Sequence, residues 1–256
     1  MRKKKLLSII IISLCCIAMA VVAVLATAQA DSNGDAEGTP GLAFELSPDK
    51  ESYICTGIGN AATTDIVIPA TYKGKPVTMI GNGAFYNCVT LTSVTVQQGV
   101  QGVSEYAFYG CVRLQTVQLP GSIRYIGGRA FKMCKSLTAV HMADDDTVFE
   151  KPEEDVRVID ESAFKGCTSL TSLRFPEEIT LISRRVLDGC SALTEITLPV
   201  GVQAIGEAAL AGCTALTKIH YEGTVEEWNA LPKDMLWSLD VGECTVICSD
   251  GTVTID

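Results

Sequence analysis

Histidine is nearly absent from this chain, with His141 and His220 the only two in 256 residues. Tryptophan is equally rare, and aromatic residues make up 6% of the total. Basic residues are outnumbered by acidic ones, 20 to 30, and four of the 20 lie within the first five positions. Beyond residue 30 the chain carries 16 basic residues and all 30 acidic ones, a net charge of −14. Each scarcity closes off a class of function. A surface this acidic argues against nucleic acid and anionic membrane as partners, because neutralising phosphates takes Lys and Arg. The chain has no Cys-x-x-Cys and no converging His and Cys, so no metal site is expected. No nucleophile, base and oxyanion donors fall together, and neither catalytic residues nor a cofactor are expected. Gly57-Ile58-Gly59-Asn60-Ala61-Ala62 has dinucleotide-motif spacing, but a strand, Asp65 to Pro69, follows where that motif needs a helix.

Cysteine, by contrast, is plentiful at 11 residues, and most of it is periodic. Cys88, Cys111 and Cys134 are spaced by 23, and Cys167, Cys190 and Cys213 by 23 again. The one longer step, Cys134 to Cys167, is 33 residues, so one unit carries ten extra. Self-similarity at a fixed period of this size marks a solenoid. It favours recognition over catalysis.

Residues 1–30 read as targeting sequence. Arg2, Lys3, Lys4 and Lys5 precede an apolar run from Leu6 to Leu25, and Ala28-Gln29-Ala30 offers a cleavage site. The run is also long enough to anchor the chain uncleaved in a bilayer, and either reading exports the rest. Leu14 before Cys15 argues against lipidation there. The sequence shows no C-terminal Leu-Pro-x-Thr-Gly and no C-terminal apolar span, so release or tethering through the N-terminus is expected. Residues 31–41 are small, polar and glycine-rich, as in a flexible spacer.

Aligned on the cysteines, the units share one pattern. Ala107-Phe108-Tyr109-Gly110-Cys111 leads to Leu114, Val117 and Leu119; Ala130-Phe131-Lys132-Met133-Cys134 leads to Leu137, Val140 and Met142. An aliphatic residue precedes each block: Ile80, Val103, Ile126, Ile159, Ile182, Ile205. The alternating stretch after the cysteine predicts a short strand with its apolar face inward, ended at Pro120, Pro176 and Pro199. The A-F-x-x-C block suits a single helical turn that returns the chain. No unit can bury its apolar face alone, and stacking lets each cover the next. The fold class expected is an α/β repeat solenoid, with one parallel β-sheet face, short helical or 3-10 turns on the return side, and β-rich N- and C-terminal caps. Six units at about 4.8 Å each make a stack roughly 30 Å long. The expected divisions are 1–30 targeting segment, 31–41 spacer, 42–80 N-terminal cap, 81–221 repeats with the insertion near 143–155, and 222–256 C-terminal cap.

The repeat resembles the leucine-rich repeats of the BspA-like family, V-x-L-P-x-x-(I/V)-x-x-I-G-x-x-A-F-x-x-C-x-x-L. Val117 through Cys134 shows the pattern nearly complete, and the match runs over about residues 66–221. Leu187 and Leu210 depart from it in place of Phe, and Ser183 in place of Gly. The resemblance implies an exported, bacterial, curved leucine-rich-repeat solenoid associated with surface adhesion and with binding host or matrix macromolecules. An extracellular protein or glycan is the expected partner. A structural component of the cell envelope without a host ligand is the alternative.

Both histidines fall on the variable strand position between two apolar ones. That column, Thr95, Gln118, His141, Arg174, Thr197 and His220, is expected to face solvent and forms the candidate ligand-binding face. The two histidines stand roughly 14 Å apart by strand spacing, too far to share a metal or pair in catalysis. Beside them run Ser93, Thr116, Ala139, Ser172, Glu195 and Lys218. Threonine also simply suits strands, which explains these columns without a ligand. Equivalent cysteines one strand spacing apart exceed the disulfide range of about 3.5–4.5 Å between Cβ atoms. Cys88, Cys111, Cys134, Cys167, Cys190 and Cys213 are therefore expected as free, buried, structural thiols. A bridge among Cys55, Cys244 and Cys248 stays open. The insertion, Ala143 to Val156, holds seven carboxylates but lacks calcium-loop spacing and reads as an acidic, solvated loop. Thr224 with Glu227 predicts a capping box opening a short helix with Trp228, and Asp250-Gly251 a hairpin.

Overall fold

A computed structural model describes residues 38–143 and 157–255. The targeting segment, residues 31–37 of the spacer and the acidic stretch 144–156 lie outside the described residues. The chain begins with β1 (Ala43–Leu46), β2 (Tyr53–Gly57), β3 (Asp65–Ile68), β4 (Thr71–Tyr72) and β5 (Lys75–Ile80). Longer and two-residue strands then alternate: β6 (Ser93–Val96), β7 (Gly102–Val103), β8 (Thr116–Leu119), β9 (Tyr125–Ile126), β10 (Ala139–Met142), β11 (Val158–Ile159), β12 (Ser172–Arg174), β13 (Leu181–Ile182), β14 (Glu195–Leu198), β15 (Ala204–Ile205) and β16 (Lys218–Tyr221). Helix α1 (Val225–Ala230) and the hairpin of β17 (Cys244–Ile247) and β18 (Thr252–Ile255) follow.

These strands wind a β-solenoid. The longer strands stack in parallel as a front wall, in the order β3, β6, β8, β10 and then β12, β14, β16, β17. The two-residue strands stack in parallel behind them. Alternation along each front strand decides what is buried: on β8, Val117 and Leu119 are buried while Gln118 is exposed. The same positions repeat in every coil, so the core is a set of columns. Phe85, Phe108, Phe131 and Phe164 stack with ring centroids 5.0, 5.1 and 5.3 Å apart and planes within 4°. Leu187 and Leu210 continue that column, fully buried.

The return side differs from expectation. The A-F-x-x-C blocks form neither α-helix nor 3-10 helix; they are hydrogen-bonded turns. Two left-handed residues per block are the reason. Five residues before each cysteine, Gly83, Tyr106, Arg129, Ser162, Arg185 and Ala208 have φ between 53° and 61°. One residue before it, Asn87, Gly110, Met133, Gly166, Gly189 and Gly212 have φ between 54° and 78°. A right-handed helix cannot pass through such residues. Between them, N–H groups alternate in purpose. Tyr109 N donates to Tyr106 O within its own turn (3.0 Å), whereas Phe108 N donates to Ala130 O of the next coil (2.8 Å).

The front wall is divided at the ten-residue insertion. Among the described residues no ladder joins β10 to β12, and a long bond from Thr171 N to Thr138 O (3.5 Å) crosses there. The core is continuous beneath it, through the Phe131–Phe164 stack. The buried guanidinium of Arg157 sits beside the break, 3.1 Å from the Glu178 carboxylate and donating to Gly121 O at 2.8 Å.

Both ends are covered. Thr39, in the segment read as spacer, accepts from Val67 N at 2.7 Å through its hydroxyl and ties residues 38–41 to β3. At the other end the capping box forms. Thr224 Oγ1 accepts from Glu227 N at 3.2 Å, and a Glu227 carboxylate oxygen accepts from Thr224 N at 2.7 Å. Trp228 is buried between Tyr221 and Trp237, with centroids at 5.6 and 5.9 Å. Residues 233–241 repeat the return block without its sequence signature. Leu236 and Asp240 are the left-handed pair, and Leu210 N and Gly212 N donate to Trp237 O and Leu239 O.

Candidate functional site

The front wall carries the six expected face residues on six successive longer strands. Pairing puts Thr95 opposite Gln118 and Gln118 opposite His141, then Arg174 opposite Thr197 and Thr197 opposite His220. They form two in-register trios on either side of the break, with Val67 and Ile247 extending the column at its ends. Gln118, His141 and Arg174 are exposed; Thr95, Thr197 and His220 are half-buried. The second trio lies beside carboxylates. Arg174 pairs with Glu222 at 2.9 Å, and His220 Nε2 lies 3.6 Å from Glu195. At the first front strand, hydrogen bonds from Ser93 and then Thr92 hold the Asp65 carboxyl below its ordinary range.

The six repeat cysteines are buried thiols outside any disulfide, as are Cys55, Cys244 and Cys248. They have a role the spacing argument missed. Each repeat thiol from Cys111 to Cys213 donates to a main-chain carbonyl one coil back: Cys111 to Phe85, Cys134 to Phe108, Cys167 to Phe131, Cys190 to Phe164 and Cys213 to Leu187, at 3.0–3.3 Å. Burial raises the thiols of Cys134, Cys167, Cys190 and Cys213, to about 12 for Cys167 and Cys213. They are stitches between coils and offer no nucleophile. Among the described residues no group of His, Cys, Asp and Glu could hold a metal ion, and no helix is long and apolar enough to cross a membrane.

The return wall holds a second surface that the front-strand columns did not reveal. Tyr86, Tyr106 and Tyr109, all half-buried, cluster outside the phenylalanine column. Tyr86 and Tyr109 stack at 5.0 Å and 4°, and Tyr106 lies 5.8 Å from Tyr109. The Arg129 guanidinium stands over Tyr106 at 5.6 Å and the Lys132 ammonium over Tyr109 at 5.9 Å. The signal was present in the alignment: the position two before the cysteine reads Tyr86, Tyr109, Lys132, Lys165.

Similarity to solved structures follows the same geometry. The chain is similar to a leucine-rich repeat protein of T. pallidum, TpLRR, at 27% identity and a TM-score of 0.60, over 71% of this chain and 83% of that one. It is similar to a leucine-rich cell surface protein of Faecalibacterium prausnitzii at 29% identity and a TM-score of 0.59, over 84% of this chain. It spans 55% of that protein's length. No curated protein matches the chain. Residues 59–152 and 147–231 match the BspA type leucine-rich repeat region, in six copies. With its buried columns, its cysteine period and that match, the chain belongs to the BspA-type leucine-rich repeat family.

Proposed function

We propose that this is an exported, non-enzymatic recognition protein. It takes an extracellular protein or glycan ligand on the front wall, at Thr95, Gln118, His141, Arg174, Thr197 and His220, and serves bacterial surface adhesion or host interaction. One observation carries the reading. Six successive longer strands hold nearly the same inward frame, half-buried on β10 and buried on the others, while the outward position between two inward ones changes from coil to coil. A fixed frame that displays varied side chains in register suits recognition of a large surface. The family and the naming of the F. prausnitzii relative as a cell surface protein support export.

The test is binding of the protein to an array of matrix proteins, mucins and glycans, beside a variant with His141, Arg174 and His220 changed to Ala. The expected result is a ligand lost or weakened about tenfold in the variant, as for truncation of central interface contacts. A ligand bound equally by both moves the site off the front wall. Absence of any ligand overturns the recognition reading in favour of an envelope scaffold.

A further inference from the structure

We propose that the return wall of the first four repeats binds an acidic saccharide, whose sugar ring packs against Tyr86, Tyr106 and Tyr109 and whose carboxylate or sulfate is held by Lys132 and Arg129. This surface is separate from the front-wall site.

The tyrosines are not needed to fill the core. The phenylalanine column already supplies a continuous stack through the same coils, and the tyrosines lie outside it with part of each ring open to solvent. The same two coils also expose Val89 and Val112. Aromatic rings with a hydroxyl at the tip join apolar contact to hydrogen bonding, the combination a saccharide presents on its faces and edges. The next two coils replace tyrosine with cations. Arg129, Lys132 and Lys165 come together on a chain whose net charge beyond residue 30 is −14.

Their partners are unequal. Arg129 pairs with Glu105 at 3.2 Å and Glu161 at 3.9 Å, and Lys165 pairs with Asp188. Lys132 holds no ion pair among the described residues and rests over the Tyr109 ring. Burial, and then the nearness of Lys165 and Arg129, lowers its proton affinity, and the carboxylates of Asp188 and Glu161 offset this only in part. Crowding like charges costs stability, and an anion seated at Lys132 relieves it. The surface runs from the tyrosines to Lys165 over three coil spacings, roughly 15 Å, enough for a short oligosaccharide. An uncharged sugar forms no ion pair with Lys132, and an acidic peptide has no need of the tyrosine faces.

The experiment is calorimetric titration of the protein, with tyrosine fluorescence as a second readout, against four probes. These are a hyaluronan hexasaccharide, a sulfated heparan hexasaccharide, uncharged cellohexaose and poly-glutamate. Saturable binding of one or both acidic oligosaccharides is expected, and which of them binds distinguishes carboxylate from sulfate recognition. Lys132→Gln should weaken binding about tenfold, the size of a lost charge-assisted contact. Tyr109→Ala should weaken it comparably, and Tyr109→Phe much less. The His141, Arg174 and His220 triple variant should bind these probes unchanged, which separates this surface from the front wall. Circular dichroism and thermal melts of Lys132→Gln and Tyr109→Phe, neither of which removes a buried side chain, establish that the variants are folded. No binding of either acidic oligosaccharide overturns the proposal, as does equal binding of cellohexaose. Binding of poly-glutamate that Tyr109→Ala leaves unchanged overturns it in favour of an acidic protein partner.

Discussion

The two walls of this solenoid close the same core by different means. In the front wall, regular strands pair in parallel register, and the side-chain period of two separates core from solvent residue by residue. In the return wall, paired left-handed residues bend the chain back. Every lateral N–H of these turns points toward the C-terminal end, as from Phe85 to Ala107 and from Phe108 to Ala130, whereas those flanking the two-residue strands point the other way, as from Ser104 to Ile80. Since Ala107 O and Phe108 N belong to one peptide unit, the turn bonds form continuous amide chains along the stack. The lesson is that the strand ladders can be interrupted, as they are between β10 and β12 in front and between β11 and β13 behind, while the A-F-x-x-C turns and the core carry continuity. Phe131 still stacks on Phe164, and Cys167 still donates to Phe131 O at 3.2 Å.

The strongest way to break that comparison is at Phe131, under the divided part of the front wall. Phe131→Ala should destabilise the fold by about 3–5 kcal/mol, as for buried Phe truncations that leave a cavity. Gln118→Ala on the neighbouring front strand should stay within about 0.5 kcal/mol. Urea unfolding of both variants measures the difference. A cost for Phe131→Ala no larger than that for Gln118→Ala would show that the core does not bridge the break.

A second test uses the six repeat thiols, which belong to the return turns. Burial, followed by neighbouring Cys167 and Cys213, raises the Cys190 thiol well above its ordinary value. The unfolded chain ionises that thiol near its usual pKa of about 8.5, while the folded chain keeps it protonated. The stabilisation is whole below the unfolded pKa and is lost as pH rises through that value toward the folded one. Each such thiol should therefore steepen the loss of stability by about 1.4 kcal/mol per pH unit above pH 9. Cys190→Ala should flatten the pH dependence by that amount between about pH 9 and pH 11, whereas Thr197→Ala on the front wall should leave the slope unchanged. Urea midpoints across that range decide it, and equal slopes for the parent and Cys190→Ala would contradict the protonated-stitch role.

The same contrast accounts for what was legible in the sequence. Front strands announce themselves because Val117, Gln118 and Leu119 alternate in character as their side chains alternate in direction. The left-handed positions announce themselves unevenly. One residue before the cysteine, Gly110, Gly166, Gly189 and Gly212 give a signal that speaks against a helical turn. Five residues before it, Tyr106, Arg129, Ser162, Arg185 and Ala208 give none, since their conformation is imposed by the coils on either side. The seventh return block was hidden for the same reason: Trp237-Ser238-Leu239-Asp240-Val241 keeps the backbone path of A-F-x-x-C and none of its residues. The tyrosine and lysine surface was visible in the aligned repeats but lay on the wall read as mere return.

The finest test of the two walls is a reciprocal pair of substitutions at the left-handed positions. Gly189 has φ 78°, and the nearest atom to an added Cβ lies 3.8 Å away, so Gly189→Ala meets no clash. Left-handed strain of about 1–2 kcal/mol, less the gain of about 0.4–1 kcal/mol from a stiffer unfolded chain, leaves a net loss near 1 kcal/mol. In a helical turn the same change would stabilise by about 1 kcal/mol. Ala208 has φ 53° and is buried. For Ala208→Gly, relief of strain offsets the lost methyl burial of about 0.8 kcal/mol and the entropy of glycine, about 0.5–1 kcal/mol, and the net change should lie near zero. A helical turn would lose both of the last two contributions with nothing in return. Urea unfolding of the two variants therefore reads the backbone state of the return wall from the sign of one change and the near-absence of the other. A stabilised Gly189→Ala together with a clearly destabilised Ala208→Gly would restore the helical reading.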